Sequence, residues 1–138
     1  MKHYKSQIQD FMTDKPVVVS PDATVSDAYT LMFDNEVRRL PVVEKGELMG
    51  IITLSDIQHT IPMFFDDDMD VASRLELVDR AVRDVMTWDP VTIGPEETIQ
   101  EAAGCMLENK VSGLPVVQDN HVVGIITESD IFKLIVDA

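Results

Sequence analysis

Apolar residues recur at helical spacing in two stretches of the chain that lie 74 residues apart. The spacing i, i+3, i+4, i+7, i+8 is followed by Val25, Ala28, Tyr29, Met32 and Phe33, and again by Ile99, Ala102, Ala103, Met106 and Leu107. Such a stripe predicts one amphipathic helix in each stretch. Thr98 and Glu101 have capping-box spacing at the start of the second helix, and Thr24 with Asp27 is a weaker version at the start of the first.

Short apolar runs on either side of these helices predict strands. The segments "PVVVSP" and "PVTIGP" each predict a short strand before the helix. After it, the runs "LPVV" and "MGIIT" flank the turn "EKGE", and "LPVV" and "VGIIT" flank "QDNH", so each pair predicts a β-hairpin. A further helix is predicted after "TLSD" and "TESD", and a short lead-in helix at residues 5–11 and 77–85. Each stretch is therefore predicted to be a β-α-β-β-α unit of the α/β class, a small sheet packed against helices.

The two units are copies of each other. Aligning residues 12–57 with residues 86–131 needs no gap and gives 21 identical pairs among 46, where chance gives about 3 at background residue frequencies. This similarity indicates a pseudo-two-fold tandem repeat in which neither copy buries its apolar face alone. We predict a first copy with its lead-in helix over residues 5–65, an acidic linker over 66–76, and a second copy with its lead-in helix over 77–138.

Composition and charge narrow the class of protein. Hydrophobic residues make up 45% of the 138 residues and charged residues 26%, as in a folded globular protein. No apolar run approaches the roughly 20 residues of a membrane helix, the N-terminus lacks the apolar core of a signal peptide, and the single cysteine fits a reducing compartment. The net charge of −14 argues against nucleic acid. We therefore expect a cytoplasmic protein without membrane or nucleic-acid partners.

No catalytic or metal-binding motif is recognisable. The chain lacks the G-x-S-x-G, Walker A and G-x-G-x-x-G patterns, and it pairs no nucleophile with a base. The acidic run at residues 66–70 begins like a calcium loop, but Val71 and Leu77 stand where an EF-hand needs glycine and glutamate. We predict a non-enzymatic protein with neither a catalytic nor a metal site.

The order of motifs in each copy resembles the cystathionine-β-synthase (CBS) domain. That order is Met-Thr-x-x-Pro-Val, helix, Leu-Pro-Val-Val, short turn, and Gly-Ile-Ile-Thr-x-Ser-Asp-Ile. Two such domains in tandem are similar to a CBS pair, or Bateman module, over nearly the whole chain. The resemblance implies a regulatory module that binds adenosine-containing ligands (AMP, ADP, ATP or S-adenosylmethionine) in clefts between the copies. It implies no required cofactor, and it implies a homodimer.

The resemblance also implies which residues bind the ligand. The family's Thr/Ser-x-x-Asp motif maps onto Thr53 and Asp56 in the first copy and onto Thr127 and Asp130 in the second. The threonine can bond a phosphate oxygen, and the acceptor-only carboxylate can bind both ribose hydroxyls. Contacts to adenine map onto Thr13, Pro16, Val17 and Val18 in the first copy and onto Thr87, Pro90, Val91 and Thr92 in the second. The structural alternative is that the Thr and Asp residues are only helix caps and the valines only core.

The two copies differ in their candidate phosphate-binding cations. Arg38 and Arg39 precede "LPVV" in the first copy, where family members often place basic residues, and the planar donors of arginine suit phosphate. The second copy has Ser112 and Gly113 there, with Lys110 nearby. We expect unequal affinities at the two sites, although an arginine of one copy can also serve a ligand held by the other.

Two functions of different class follow from these observations. One is a regulatory module that binds an adenine nucleotide and passes its signal to a separate effector protein. The other is a ligand-free homodimerisation or scaffold module that keeps the CBS fold.

Overall fold

The computed structural model describes residues 3–60, 70, 72 and 79–137. They form two compact units, each built around one copy of the repeat. The first-copy unit is Val17–Asp89, and the second-copy unit combines residues 1–16 with residues 90–138. Most of the predicted acidic linker at 66–76, and residues 77–78 of the second lead-in, lie outside the described residues, and the domain boundaries given above stay a prediction.

The described elements follow the predicted order. In the chain they are a 3-10 turn at Ile8–Asp10, β1 (Thr13–Asp14), α1 (Val25–Asn35), β2 (Arg39–Glu44), β3 (Glu47–Thr53), α2 (Leu54–Thr60), a 3-10 turn at Val82–Asp84, β4 (Thr87–Trp88), α3 (Ile99–Asn109), β5 (Gly113–Gln118), β6 (His121–Thr127) and α4 (Glu128–Val136). The first-copy unit has an antiparallel sheet in the order β2-β3-β4. The second-copy unit has the matching order β5-β6-β1. The predicted α/β class with two repeated units is confirmed.

Both predicted hairpins form. Lys45 and Gly46 connect β2 to β3 with φ angles of 52° and 82°, and Asp119 and Asn120 connect β5 to β6 with φ angles of 53° and 67°. Positive φ at both central residues is the geometry that matches the twist of a two-residue hairpin. These turns set the register that brings the start of each hairpin beside its end.

The two long helices bury a narrower face than the apolar stripe predicts. Val25, Ala28 and Met32 of α1 are buried in the core of the first-copy unit, and Ile99, Ala102 and Met106 of α3 take the same places in the second. Phe33 and Leu107 stay exposed. Thr24 and Thr98 both cap their helices as predicted, and of these two the reciprocal box closes at Thr24 and Asp27. At the start of α3, the carboxylate of Glu101 accepts from the Thr98 hydroxyl instead.

The short strands predicted at "PVVVSP" and "PVTIGP" shrink to single bridges, which corrects that prediction. Val19 donates to the Pro41 carbonyl and accepts from Val43 N–H, and Ile93 pairs in the same way with Pro115 and Val117. The next bond upstream in the first copy would need an N–H from Pro41, and the next bond downstream would need one from Pro21. Proline has no N–H to donate, so the parallel ladder stops after one residue.

Each lead-in segment packs in the unit of the other copy, and it is shorter than predicted. Ile8 donates to the Glu97 carbonyl, and Val82 donates to the Ala23 carbonyl, both at 2.8 Å. The carbonyl of Ser6 accepts from Ile99 N–H and Gln7 bridges Thr98, which holds the chain extended before the turn and confines the predicted helix to a 3-10 turn. Ile8 and Val82 are fully buried. Each core is therefore closed by a segment that precedes the other copy.

Two glycines allow the lead-in strands to approach the hairpins. A Cβ on Gly50 would lie 2.5 Å from the carbonyl oxygen of Thr87 and 2.8 Å from Sδ of Met86. A Cβ on Gly124 would overlap Sδ of Met12 and lie 2.9 Å from the carbonyl oxygen of Thr13. The glycine that opens each "GIIT" segment is thus required for the pairing of β3 with β4 and of β6 with β1.

Candidate functional site

In the first-copy unit, the candidate Thr-x-x-Asp motif lies where β3 ends and α2 begins. The N–H of Thr53 donates to Oδ2 of Asp56 at 2.9 Å, and the N–H of Asp56 donates to Oγ1 of Thr53 at 3.0 Å. The two residues therefore form a capping box, as the structural alternative expects. The other carboxylate oxygen, Oδ1 of Asp56, accepts no hydrogen bond from a described residue.

The candidate arginines lie next to this motif. Arg39 is the register partner of Thr53 across the β2–β3 pair, and directly opposed residues of an antiparallel pair project from the same face of the sheet. The carbonyl of Arg38 accepts from the N–H of Leu54 at 2.8 Å. Arg38 is exposed and Arg39 is half-buried. The hairpin thus brings the backbone of both arginines beside the start of α2, although 14 or more residues separate them from it in sequence.

The second-copy unit repeats this backbone arrangement with different charges. Thr127 N–H donates to Oδ2 of Asp130 at 2.9 Å, and Asp130 N–H donates to Oγ1 of Thr127 at 3.4 Å. Gly113 is the register partner of Thr127, and the Ser112 carbonyl accepts from Glu128 N–H at 2.9 Å. No arginine stands at these positions. Glu128 was not among the predicted site residues. It stands out in the repeat alignment, because "TLSD" of the first copy becomes "TESD" in the second.

The two candidate adenine segments, residues 16–18 and 90–92, are attached to the sheet through the residue that follows each of them, Val19 and Ile93. No hydrogen bond links the backbone of Val17, Val18, Val91 or Thr92 to a described residue, since the proline-limited ladder leaves their polar groups unused. Val18 and Val91 are exposed rather than buried in the core. Core packing therefore does not explain Val18 or Val91, whereas Val17 is half-buried against the first-copy core.

The two structural units do not contain the same candidate residues as the two sequence copies. Thr13 pairs with Ile125 in the second-copy unit, and Thr87 pairs with Ile51 in the first-copy unit. Each threonine thus lies against the hairpin of the copy to which it was not assigned. The first-copy unit holds Val17, Val18, Arg38, Arg39, Thr53, Asp56 and Thr87, and the second-copy unit holds Thr13, Pro16, Pro90, Val91, Thr92, Thr127 and Asp130.

The described residues contain neither a candidate metal site nor a membrane-spanning helix. Within residues 3–60 and 79–137, with Asp70 and Ala72, no group of three or more His, Cys, Asp or Glu residues is placed to hold a metal ion. In the same part of the chain, no helix combines the length and the apolar character needed to cross a bilayer.

The fold and the repeated Thr-x-x-Asp turns match a known family. The model of the CBS domain matches this chain twice, over residues 8–62 and 82–137, so the chain belongs to the CBS domain family. The CBS domain-containing protein YhcV of Bacillus subtilis is 31% identical over 130 residues, which cover 91% of this chain and 83% of that protein.

Some curated relatives are much longer than the matched region. An inosine-5′-monophosphate dehydrogenase of Korarchaeum cryptofilum is 33% identical over 125 residues, and the match covers 90% of this chain but only 23% of that enzyme. The chain thus spans less than a quarter of this relative.

Two similar solved structures contain adenosine compounds. CBSX2 in complex with AMP has a TM-score of 0.80 and 28% identity, and the match covers 95% of this chain and 97% of that one. The CBS domain pair of MJ0100, in complex with 5′-methylthioadenosine and S-adenosyl-L-methionine, has a TM-score of 0.77 and 26% identity, with 96% and 97% covered. The family of this chain therefore includes CBS pairs that bind adenosine-containing molecules.

Proposed function

We propose that this chain is a non-enzymatic regulatory module that binds an adenosine-containing ligand and signals through a partner protein. The ligands considered are AMP, ADP, ATP and S-adenosylmethionine. The observation that carries the proposal is the repeated capping box at Thr53–Asp56 and Thr127–Asp130, in which the aspartate uses one carboxylate oxygen. The second oxygen remains available to accept from a ribose hydroxyl, so capping and ligand binding are compatible roles for the same side chain.

The segments after the lead-in strands supply the groups that an adenine ring needs. An adenine site is mostly apolar with a few polar groups. Val18 offers exposed apolar surface, and Val17 is half-buried against the first-copy core. Their backbone N–H and C=O groups make no hydrogen bond to another described residue. Val91 and Thr92 of the second-copy unit are exposed, and their backbone groups likewise make no hydrogen bond to a described residue. The AMP and S-adenosylmethionine complexes of similar CBS pairs support this class of ligand.

The test is isothermal titration of AMP into the wild-type chain and into Asp56→Asn and Asp130→Asn. Asparagine retains a carbonyl oxygen for the cap but replaces the second acceptor by an NH₂ donor. At least one variant should therefore bind AMP tenfold or more weakly, with an unchanged unfolding midpoint.

Asp27→Asn is the matched control, because Asp27 forms the same capping box with Thr24 and is not a candidate ligand residue. It should leave AMP affinity unchanged. Equal AMP affinity in the wild type and all three variants would refute the role of the motif. No binding of AMP, ATP or S-adenosylmethionine by the wild type would refute the proposed function itself.

Exposed apolar residues favour a second function, a ligand-free homodimerisation or scaffold module. They lie on helices of both units: Tyr29 and Phe33 on α1, Leu107 on α3, and Phe132, Ile135 and Val136 on α4. An exposed apolar patch on a folded protein often marks an interface, and three of these side chains fall within the last five residues of α4. We infer a homodimer under either function, and sedimentation of wild type and Phe33→Ser tests it. The scaffold function alone predicts that assembly is independent of adenosine ligands.

The remaining surface chemistry bears on location and other partners. We propose a cytoplasmic protein that binds neither membranes nor nucleic acid. The net charge of −14 argues against nucleic acid, whose phosphates repel an acidic surface.

A further inference from the structure

We propose that the two units select adenosine ligands that differ in charge at the 5′ position. The first-copy unit selects a 5′-phosphate, and the second-copy unit selects a neutral or cationic 5′ group, such as a thioether or a sulfonium. The inference rests on the proposed function and assigns a ligand class to each of the two candidate sites.

The backbone of the two candidate sites is the same, so a difference in selectivity must come from side chains. The N–H of Leu54 bonds the Arg38 carbonyl at 2.8 Å, and the N–H of Glu128 bonds the Ser112 carbonyl at 2.9 Å. Arg39 opposes Thr53 as Gly113 opposes Thr127. The aligned exchanges are therefore Arg38 for Ser112, Arg39 for Gly113 and Leu54 for Glu128.

These exchanges reverse the local charge. Around the first-copy turn, Arg39 lies opposite Thr53, and the Arg38 carbonyl accepts from the N–H of Leu54, which is neutral. Asp56 is the carboxylate in the first turn of α2. Around the second-copy turn, Glu128 and Asp130 both lie in the first turn of α4, and no cation replaces the arginines. Lys110 and Lys133 are the nearest cations in the sequence, and neither takes the aligned position of Arg38 or Arg39.

The charge balance sets which 5′ group each turn tolerates. Arginine donors bond phosphate through charge-assisted hydrogen bonds, which are about twice as strong as neutral ones. A phosphate beside two carboxylates has no such donors and meets repulsion, whereas a sulfonium is attracted there. AMP and 5′-methylthioadenosine are a suitable pair of probes, since they differ only in the 5′ group.

The test titrates AMP and 5′-methylthioadenosine separately into wild type, Arg38→Ser and Ser112→Arg. Both positions are exposed, so each variant should keep the wild-type unfolding midpoint. We expect Arg38→Ser to weaken AMP binding roughly tenfold or more, in line with the loss of a hydrogen bond to a charged group. We expect Ser112→Arg to add a second AMP site and to leave the first unchanged.

Asp56→Asn and Asp130→Asn assign each probe to a unit. The proposal predicts that Asp56→Asn weakens AMP and that Asp130→Asn weakens 5′-methylthioadenosine. If both probes bind but neither responds to the Arg38 and Ser112 exchanges, or if Asp130→Asn is the variant that weakens AMP, charge selection is refuted and the proposed function survives. If neither probe binds the wild type, charge selection is refuted, and the proposed function is refuted as well if ATP and S-adenosylmethionine also fail to bind.

Discussion

The replacement Gly50→Ala tests the packing of the lead-in strand on the first-copy hairpin. The new Cβ would lie 2.5 Å from the carbonyl oxygen of Thr87 and 2.8 Å from Sδ of Met86. The methionine side chain can rotate away, but the Thr87 oxygen is part of β4, so the strand itself must move. The substitution should therefore weaken the pairing of β3 with β4 and the burial of the lead-in segment.

Gly104→Ala provides the matched control and isolates the size of this effect. A Cβ on Gly104, inside α3, would meet no atom within 4 Å. Replacing glycine by alanine inside a helix or strand stabilises by roughly 0.5–1 kcal/mol when it causes no clash. Both variants share that gain, so the difference between them measures the overpacking at Gly50, which we expect to be about 1–3 kcal/mol.

Thermal and urea unfolding of the two variants measure this difference directly. For a chain of this size, about 1 kcal/mol corresponds to a shift of roughly 3–5 °C in the midpoint. Gly104→Ala should melt slightly above the wild type, and Gly50→Ala should melt at least about 3 °C below Gly104→Ala. Equal midpoints for the two alanine variants would refute the close approach of β4 to Gly50.

Three further predictions concern the lead-in segments, the helix caps and the ligand. Ile8→Ala should destabilise by about 2–5 kcal/mol, because Ile8 is fully buried in the second-copy core; urea unfolding measures it, and a cost under about 0.5 kcal/mol would contradict this packing. Thr24→Ala should cost about 1 kcal/mol through loss of the α1 cap, with no change in AMP affinity by titration; a change in affinity would link α1 to the ligand. AMP affinity should fall as salt rises from about 0.05 to about 0.5 M, since exposed charges such as Arg38 are screened, whereas the affinity for the neutral 5′-methylthioadenosine should stay constant. Salt-independent AMP binding would contradict an arginine contact.

Local sequence signals predicted the elements that depend on neighbouring residues. The hairpin turns follow from short polar segments that accept positive φ, as at Lys45-Gly46. The helix starts follow from Thr-x-x-Asp spacing. Such features depend on only a few consecutive residues, and each of them occurs in both copies of the repeat. For the same reason the motif at Thr53 and Asp56 could be located before its geometry was known.

Features that depend on distant residues were not predictable. The strand at Val19 is limited by Pro41, 22 positions away, and a propensity argument for the segment alone contains no information about its partner. The packing of Ile8 against the second copy and of Val82 against the first follows from hydrogen bonds across the chain. It moves Thr13 and Thr87 into units other than those inferred from sequence order. Arg39 lies opposite Thr53 only because the hairpin register places it there.

The most direct test of the central claim is a crystal structure of the wild-type chain with bound AMP. We expect the ribose hydroxyls to donate to the carboxylate of Asp56 or Asp130, and adenine to lie against residues 17–18 or 91–92. AMP bound with its ribose away from both aspartates would contradict the account.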